Sequence, residues 1–468
     1  MRPRGLWFML GGITLLGMAA ASYWRFTPTG AAADSVIVGD AQSGLDRAAN
    51  SPTLAIDPRD DRVMLLAERI DRPGFSCALY RSADGGEHWN PVRVPLPTHY
   101  DTCYAPDVAF DSRGNATLIF LTLNTHPKDP LSAGNDPNGA WLTHSDNGGK
   151  SFETPRRVLG PDHIQVRIAA DPSANRLYLL WLEGSDLENH TPLGLGPPPN
   201  PLKLAVSGDS GRTFSAPVQV NAAKHVRVGA ASMAIAADGT VNVLFEDFGS
   251  DLNDYNNRAL PFQGKFSLLL ARSTNHGASF AESLIDSNVV RAAPFLIYLP
   301  PLPALALDAT GQNIFAAWQD GRGGAPDILL RHSTDSGKTW SRLARLNQRS
   351  TDPSEALLPA LSVAADGRLD AVFLDARPSA NALATNVMYV QSKDDGTTFT
   401  PPVPLTRRPF DGFVGPLNPR TQAIDFGTRL ALRSTLQDVR AAWPDSRLGT
   451  PDTGRQEIAF AKIAVPQD

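Results

Sequence analysis

Short apolar runs interleaved with polar residues recur along the whole chain, and many of them come in pairs around a tight polar turn. In one such pair, residues 361–373 (LSVAADGRLDAVF), two runs flank Asp366 and Gly367. An Asp-Gly pair between alternating apolar stretches is a strong signal for a β-hairpin. A third apolar run follows each pair, and a short fourth run comes after a polar turn. The pattern therefore predicts units of four antiparallel strands, called A to D in chain order.

Counting the first strand of each unit gives seven units, which predicts an all-β fold, a seven-bladed β-propeller with four-stranded blades. The A strands are expected to begin near Pro52, Pro106, Val166, Ala231, Pro303, Pro359 and Thr428. The seventh unit lacks a D strand, and the unpaired segment 35–38 (SVIV) can supply it. A ring closed in this way leaves no open sheet edge. Six blades with a β appendage are the alternative arrangement.

An eight-residue polar motif follows the C strand in the first six units, with steps of 59 to 66 residues between copies. It begins with a serine: Ser82, Ser145, Ser207, Ser273, Ser333 and Ser392. Its third residue is acidic or an amide: Asp84, Asn147, Asp209, Asn275, Asp335 and Asp394. Its fifth is a glycine: Gly86, Gly149, Gly211, Gly277, Gly337 and Gly396. Its last is aromatic: Trp89, Phe152, Phe214, Phe280, Trp340 and Phe399.

These residue types predict a structural role for the motif rather than ligand binding. Ser and Asp or Asn side chains bond backbone groups of their own turn, and glycine permits a positive φ. The final aromatic ring can pack beneath the turn. We therefore expect the motif to lock the turn between the C and D strands.

The connections of the predicted ring divide into a short set and a long set. Because strands alternate in direction, A–B and C–D turns share one face, and B–C and D–A connections share the other. The second set is long: 124–138, 184–201, 248–265, 287–302 and 406–427. Long loops on a rigid scaffold usually carry binding or catalysis. We call this second face the working face, and we expect the repeated turns to lie opposite it.

Composition and the N-terminus indicate an exported protein. The 468 residues are 42% hydrophobic and carry a formal net charge of −5 without a long basic run, which argues against a nucleic-acid partner. Arg2 and Arg4 precede the apolar run 5–24, which fits either a cleaved signal or an uncleaved membrane anchor. We therefore expect residues 1–33 to be this segment with a short linker. Residues 34–468 would be a propeller in the periplasm or outside the cell, with the inner membrane as the site of any tether.

The cysteines and histidines bear on disulfide and metal chemistry. Cys77 and Cys103 lie toward the working face on adjacent predicted blades, so an exported protein can join them in a disulfide. Two buried thiols are the alternative. Five of the nine histidines fall in predicted working-face loops: His99, His126, His163, His190 and His225. None has a compact ligand spacing, so we expect solvated loop histidines, no metal and no cofactor.

The repeated motif resembles the Asp box, and residues 34 to 468 resemble the sialidase-like, Asp-box (BNR-repeat) propeller superfamily. Members of this superfamily include sialidases and other glycoside hydrolases, and also non-catalytic scaffolds and receptors. The resemblance therefore implies the fold and leaves the activity open. Sialidases bind a carboxylate with an arginine cluster and use a tyrosine nucleophile, an activating carboxylate and an aspartate acid/base.

Two arginines stand at one repeat position near the start of an A strand. Arg167, in VRIA (166–169), is the nearest match to the R-I-P motif of sialidases and lacks its proline. Arg429 occupies the same position four blades later. The other blades place different residues there: Thr53, Asp107, Ser232, Ala304 and Ala360. We expect the two arginines to form an anion site at the channel mouth, because a guanidinium meets a carboxylate with two hydrogen bonds. Interblade salt bridges are the alternative.

The resemblance also implies candidates for the other catalytic roles. Tyr298 is the preferred nucleophile and Tyr104 the alternative, with Glu355 as the activating partner. Asp247 is the preferred acid, and the other candidates are Asp101 and Asp251. A tyrosine in a loop is often a packing residue, so a purely structural role is the alternative for Tyr298 and for Tyr104.

A second repeated feature ends three B strands, where an aspartate precedes an arginine by two positions. The arginines are Arg322, Arg377 and Arg447. A feature repeated in several blades favours Asp–Arg pairs that brace loops. A charged ring that binds a ligand at the channel mouth is the alternative.

The sequence as a whole predicts a sialidase-like propeller that binds a carbohydrate or another small anionic ligand at the channel mouth. An exo-sialidase-type glycoside hydrolase is the enzyme that fits this description. The alternative is a non-catalytic scaffold or assembly factor that binds protein partners through its long-loop face. Contact with a membrane is expected only through the N-terminal segment.

Overall fold

The computed structural model describes residues 35–39, 44, 46–123, 137–184, 196–251, 264–292, 301–348, 354–378, 383–416 and 425–465. These residues form seven antiparallel sheets in a ring, which confirms the predicted seven-bladed β-propeller. Among them, no helix has the length and apolar character needed to cross a membrane. The predicted segment 1–33, Tyr298, His126 and His190 lie outside the described residues.

The strands follow one another in chain order. Six blades have four strands each, and the sixth blade has a fifth, because the short strand β26 also pairs with β24. The N-terminal strand and the first three blades are β1 (Val36–Ile37), β2 (Ala48–Asp57), β3 (Asp60–Arg72), β4 (Ser76–Ser82), β5 (Asn90–Val92), β6 (Tyr104–Phe110), β7 (Ala116–Leu123), β8 (Pro137–Ser145), β9 (Arg156–Leu159), β10 (His163–Ala170), β11 (Leu177–Glu183), β12 (Leu202–Ser207) and β13 (Val218–Gln219). Blades four and five are β14 (Val228–Ile235), β15 (Val241–Asp247), β16 (Lys265–Ser273), β17 (Ala281–Val290), β18 (Ala304–Leu307), β19 (Ile314–Asp320), β20 (Asp327–Ser333) and β21 (Ala344–Arg345). The last two blades are β22 (Glu355–Val363), β23 (Leu369–Pro378), β24 (Leu383–Ser392), β25 (Val403–Pro404), β26 (Phe410–Asp411), β27 (Ala431–Ser434), β28 (Asp438–Asp445) and β29 (Glu457–Ala464).

The ring closes in the seventh blade, where the N-terminal strand supplies the outer strand. β1 pairs antiparallel with β29, with Val36 opposite Phe460, as the sequence predicts. Buried Arg47, just before β2, adds a second link, because its guanidinium donates hydrogen bonds to Glu68 of blade one and Glu457 of blade seven. The first and last described strands are thereby held together in one blade.

The repeated motif closes the turn between the C and D strands in six blades. In the first copy, the backbone N–H of Gly86 donates to Ser82 Oγ (2.9 Å), and this hydroxyl donates to Asp84 Oδ1 (2.8 Å). The same links recur in the other five copies. Gly86 has φ = +97°, and a Cβ there would lie 2.2 Å from the ring of Phe460. The polar side chains of the motif thus form their hydrogen bonds within the turn. The turn lies at the end of the blade opposite the working face.

Five A strands contain a β-bulge whose central residue has a positive φ between 49° and 54°. These residues are Ser51, Ala105, Gln165, Ala230 and Leu358. The bulges interrupt the pairing with the B strand at the same place in each blade. The A strands of these blades also begin two to four residues earlier than the sequence predicts, since the strand continues upstream of the bulge. In blades five and seven, the described strands begin later, at Ala304 and Ala431.

Candidate functional site

The seven A strands enclose a central channel with a cavity of about 370 Å³. Every blade contributes one residue from the same repeat position to its lining: Thr53, Asp107, Arg167, Ser232, Ala304, Ala360 and Arg429. In five blades the bulge lies two residues before this position. A bulge locally bends and twists a strand and so re-aims the side chains next to it. The fold therefore gathers one chosen residue from each blade around a common axis.

The charged residues of the channel lining are three arginines and one aspartate: Arg167, Arg429, Arg433 and Asp107. Three positive charges and one negative charge give the lining a net formal charge of +2. The Asp107 carboxylate accepts hydrogen bonds from the backbone N–H groups of Val108 (3.1 Å) and Ile168 (3.2 Å). None of the ion pairs of the described residues joins Asp107 to a channel arginine. The channel is therefore suited to anions, since positive charge predominates in a narrow cleft, where the field of the lining is concentrated.

Arg429 is held in place by neutral oxygen atoms. Its guanidinium donates to the carbonyl oxygens of Pro52 (3.2 Å) and Pro106 (3.0 Å) and to Thr53 Oγ1 (2.7 Å). Burial and, after it, the positive charge of Arg167 lower the pKa of Arg429 to about 9. A guanidinium stays charged at neutral pH even so, and the lowered pKa reflects a positive charge without a matching negative one.

Arg167 is half-buried. Protein atoms surround its side chain except where it borders the channel. Its guanidinium makes no hydrogen bond or ion pair with any described residue. Burial lowers the pKa of Arg167, and Asp107 is the charge that opposes this effect. Arg167 and Arg429 thus place two poorly compensated guanidinium groups in one channel, and the interblade salt bridges considered from the sequence do not form among the described residues.

A polar cluster missed by the sequence analysis lies beside Arg429. Buried Arg69, at the end of β3, donates to Tyr104 Oη (3.2 Å), Asp71 Oδ2 (2.6 Å) and Asp425 Oδ2 (3.2 Å). Arg69 also acts on the pKa of Arg429 as a nearby positive charge, and Tyr104 as a nearby ionisable group. Burial raises the pKa of Asp71 against the opposing effect of Arg69, and the neighbouring Asp425 raises it further. One feature of the sequence could have indicated this cluster. At the end of the first B strand, Arg69-Ile70-Asp71 has the arginine before the aspartate, which reverses the Asp-x-Arg order found at other B-strand ends.

The other predicted catalytic carboxylates lie outside the channel lining. Asp247 accepts a hydrogen bond from the backbone N–H of Gly249 (3.0 Å), and its Oδ2 lies 2.6 Å from His225 Nδ1. Glu355 opens β22, and burial raises the pKa of its carboxyl. The remaining candidates for the acid are also absent from the lining: Asp101 and Asp251. Of the two predicted tyrosines, Tyr104 is the one that the structure describes, and it lies in the Arg69 cluster.

The repeated Asp-x-Arg sequences form ion pairs within their own loops. Arg322 pairs with Asp320 (2.7 Å) and with Asp286 of the preceding blade (3.0 Å). Arg377 pairs with Asp375 at 3.2 Å, and Arg447 pairs with Asp445. The aspartates Asp320 and Asp445 also accept the indole N–H of the tryptophan two residues earlier. The indole bonds tie the loops of Asp320 and Asp445 to their blade cores, and none of the three arginines lines the channel.

The cysteines form a covalent link, and one histidine lies between two carboxylates. Cys77 and Cys103 form a disulfide, as predicted, which links β4 to the loop before β6. Within the described ranges, no group of three or more His, Cys, Asp or Glu side chains is arranged to hold a metal ion. His225 lies between two carboxylates, with Nδ1 near Asp247 (2.6 Å) and Nε2 near Glu282 (3.3 Å).

Comparison with known proteins supports the family assignment made from the sequence. The family model of the BNR repeat-like domain matches residues 312–431. An ulvan lyase from a new family of polysaccharide lyases, bound to -[GlcA(1-4)Rha3S]-, is similar in structure, with a TM-score of 0.53 and 13% identity over 92% of this chain and 98% of its own. The described residues therefore form a β-propeller in which residues 312–431 match the BNR repeat-like domain.

Two further solved structures are similar to this propeller. A protein of unknown function from Dyadobacter fermentans DSM 18053 has a TM-score of 0.50 and 14% identity over 92% of this chain and 98% of its own. A Hadza microbial sialidase has a TM-score of 0.48 and 14% identity over 87% of this chain and 75% of its own. No curated protein matches the sequence. At such low identity these likenesses concern the fold alone.

Proposed function

We propose that this propeller binds an acidic carbohydrate at the mouth of its central channel and hydrolyses a glycosidic bond there. The observation that carries the proposal is the pair of poorly compensated guanidinium groups, Arg167 and Arg429, in a channel with a net formal charge of +2. A carboxylate or sulfate group would supply the missing negative charge and accept paired hydrogen bonds. The ulvan lyase of similar fold is bound to a glycan that contains GlcA and Rha3S, which agrees with an acidic sugar ligand.

The hydrolytic step would use a tyrosine as the nucleophile. Tyr104 is one candidate: Oη would attack the anomeric carbon while its phenolic proton passes to Asp425, which contacts the same Arg69 guanidinium and would return the proton when water cleaves the glycosyl–tyrosine bond. Half-buried Asp71, whose pKa is raised, is the candidate that gives its proton to the departing oxygen. Water would then break the bond to tyrosine and return a proton to Asp71. Tyr298 remains the other candidate nucleophile, and this proposal moves the acid role from Asp247 to Asp71.

The proposal is tested by the hydrolysis of fluorogenic glycosides by the purified protein. The panel contains a sialoside, a glucuronide and a neutral glucoside. We expect turnover of an acidic substrate and a loss of about 10- to 100-fold in kcat/KM for Arg167→Ala, since a hydrogen bond to a charged group contributes roughly 1.5–3 kcal/mol. Arg342→Ala, which removes an exposed arginine far from the channel lining, is the matched control. Equal activity of both variants would refute the role of Arg167.

Binding of a protein partner at the working face is a second candidate function. Two large apolar side chains are exposed on neighbouring loops there, Phe413 (49%) and Leu448 (45%). The loops are joined by a hydrogen bond from Ser446 Oγ to the carbonyl oxygen of Asp411 (2.6 Å). Exposed apolar patches mark interaction surfaces. No turnover on the whole glycoside panel, with acidic sugars also failing to bind, would favour this function.

We also propose that the propeller works outside the cytoplasm. The disulfide supports this location, because such bonds persist in oxidising compartments. The apolar run 5–24 with its preceding arginines would direct export and, if retained, tether the protein to the inner membrane. Fractionation of cells that produce the tagged protein tests the proposal, and recovery in the cytoplasm with reduced cysteines would contradict it.

A further inference from the structure

Arg433 lies in the same blade as Arg429 and lines the same cavity, but further along the channel. The A strands run from the working face toward the A–B turns, so Arg433, one residue before the end of β27, lies further from the working face than Arg429. Four residues of extended chain span about 13 Å. The cavity follows the strands over this length, because its lining includes residues 52–56 on one blade and 429–433 on another. The channel therefore offers positive charge at two levels, which we call the mouth level and the deep level.

Arg433 is as poorly compensated as the arginines at the mouth. Its side chain is exposed within the channel, and its one described hydrogen bond is donated to the carbonyl oxygen of Leu432 (2.9 Å). The side chain reaches solvent, but the channel walls around it still remove part of its hydration and lower the pKa of Arg433, and the opposing charge is again Asp107. Asp107 is thus the one carboxylate of the described channel lining that offsets the charge of three guanidinium groups. Its oxygens already accept hydrogen bonds from two backbone N–H groups.

We propose that the channel binds an acidic oligosaccharide at two levels, with one negative group on Arg167 and Arg429 and a second on Arg433. The carbohydrate class rests on the function proposed above. The charge count points to two anionic groups, because the net formal charge of +2 is neutralised by two negative charges and only half neutralised by one. The cavity volume of about 370 Å³ falls within the range of about 300–1,000 Å³ typical of small-ligand sites.

The proposal predicts that affinity depends on the length of an acidic oligosaccharide. The probes are galacturonic acid, with one carboxylate, and its dimer, trimer and tetramer, titrated calorimetrically into the full protein at fixed ionic strength. We expect the affinity to rise by about tenfold or more, equal to ~1.4 kcal/mol, once an oligomer reaches the deep level. In Arg433→Gln this ratio of oligomer to monomer affinity falls toward one, and in Arg433→Lys most of it is kept.

Arg342→Gln is the charge-matched control, because it removes a positive charge that does not line the channel. The two-level site is refuted if Arg433→Gln keeps the wild-type ratio, if Arg342→Gln loses it to the same extent, or if the wild-type protein binds none of the four probes. Circular dichroism of each variant before titration verifies that the variants are folded.

The titration separates this proposal from the proposed hydrolysis. A protein that cleaves no glycoside but shows the Arg433-dependent preference for longer oligomers would retain the two-level site and lose the reaction. A protein that cleaves acidic glycosides with equal affinity for monomer and oligomers would retain the reaction and lose the deep level.

Discussion

The guanidinium of Arg69 donates a hydrogen bond to Tyr104 Oη across 3.2 Å and so joins the B strand of the first blade to the A strand of the second. The same guanidinium reaches Asp71 and, 356 residues along the chain, Asp425 before the seventh blade. One buried cation therefore ties together three successive parts of the ring beside Arg429.

Replacement of Arg69 by leucine is expected to destabilise the protein strongly. The change leaves the carboxyl groups of Asp71 and Asp425 without the guanidinium that both contact, and leaving such groups without their hydrogen-bond donor costs roughly 1–3 kcal/mol or more. Chemical denaturation of Arg69→Leu and wild type measures the difference. Arg62→Leu breaks a pair with Asp60 on the surface and should change stability little. Similar midpoints for the two variants would show that the Arg69 cluster is not a structural centre.

The Asp-box serines are expected to support the fold without affecting the ligand. Ser333 Oγ is buried, accepts the backbone N–H of Gly337 (2.8 Å) and donates to Asp335 Oδ1 (2.8 Å). Ser333→Ala should cost about 1–3 kcal/mol of unfolding free energy, because it leaves a buried N–H unpaired. Thr334→Ala removes the exposed hydroxyl next to it and is the matched control. A loss of anion affinity in Ser333→Ala with unchanged stability would contradict the structural role of the motif.

The sequence predicted the ring because its evidence is local and repeated. A hairpin signal or an eight-residue turn is contained in one short segment, and its recurrence at steps of 59 to 66 residues sets the number of blades. The seven equivalent positions that face the channel, including Arg167 and Arg429, followed from the same register. Arg433 lies four residues beyond this repeat position, so the register that identified Arg167 and Arg429 did not identify it.

The partners within the site could not be read in the same way. Arg69 and Asp425 are 356 residues apart, and only closure of the ring brings them together. The bulges that precede the channel position depend on a positive φ at residues such as Ser51 and Gln165, which are not glycines. A positive φ is rare at such residues, so no residue type announces it in the sequence. The true starts of the A strands were missed for the same reason.

Buried Glu246 is expected to make the stability of the propeller fall as pH rises. Burial and, after it, the negative charge of Asp320 raise the pKa of Glu246 well above its usual value, and Oε2 has no hydrogen-bond partner among the described residues. The folded protein then keeps a proton that the unfolded chain releases above about pH 4.3. Stability from this group is full below that pH and declines above it by up to about 1.4 kcal/mol per pH unit, until the folded carboxyl ionises.

Glu246→Gln removes the group responsible for this decline. Unfolding free energies measured between pH 4 and pH 8 should therefore fall less steeply for Glu246→Gln than for wild type. Glu87→Gln, at an exposed position, is the control and should follow the wild-type curve. Parallel curves for Glu246→Gln and wild type would mean that Glu246 does not hold its proton in the folded state.

Loss of the Arg167 charge is expected to stabilise the ligand-free protein while it weakens anion binding. The guanidinium has no hydrogen bond or ion pair with a described residue, and its charge lowers the pKa of Arg429. Arg167→Met keeps much of the side-chain volume and removes this repulsion, so the unfolding free energy should rise by about 0.5–2 kcal/mol, as is common when a strained functional residue is replaced. Arg342→Met, at an exposed position, should leave stability nearly unchanged. Thermal unfolding with and without galacturonic acid oligomers measures both effects. A lower melting temperature for ligand-free Arg167→Met would mean that Arg167 stabilises the ligand-free protein. This result would contradict the prediction that its uncompensated charge is destabilising until an anion binds.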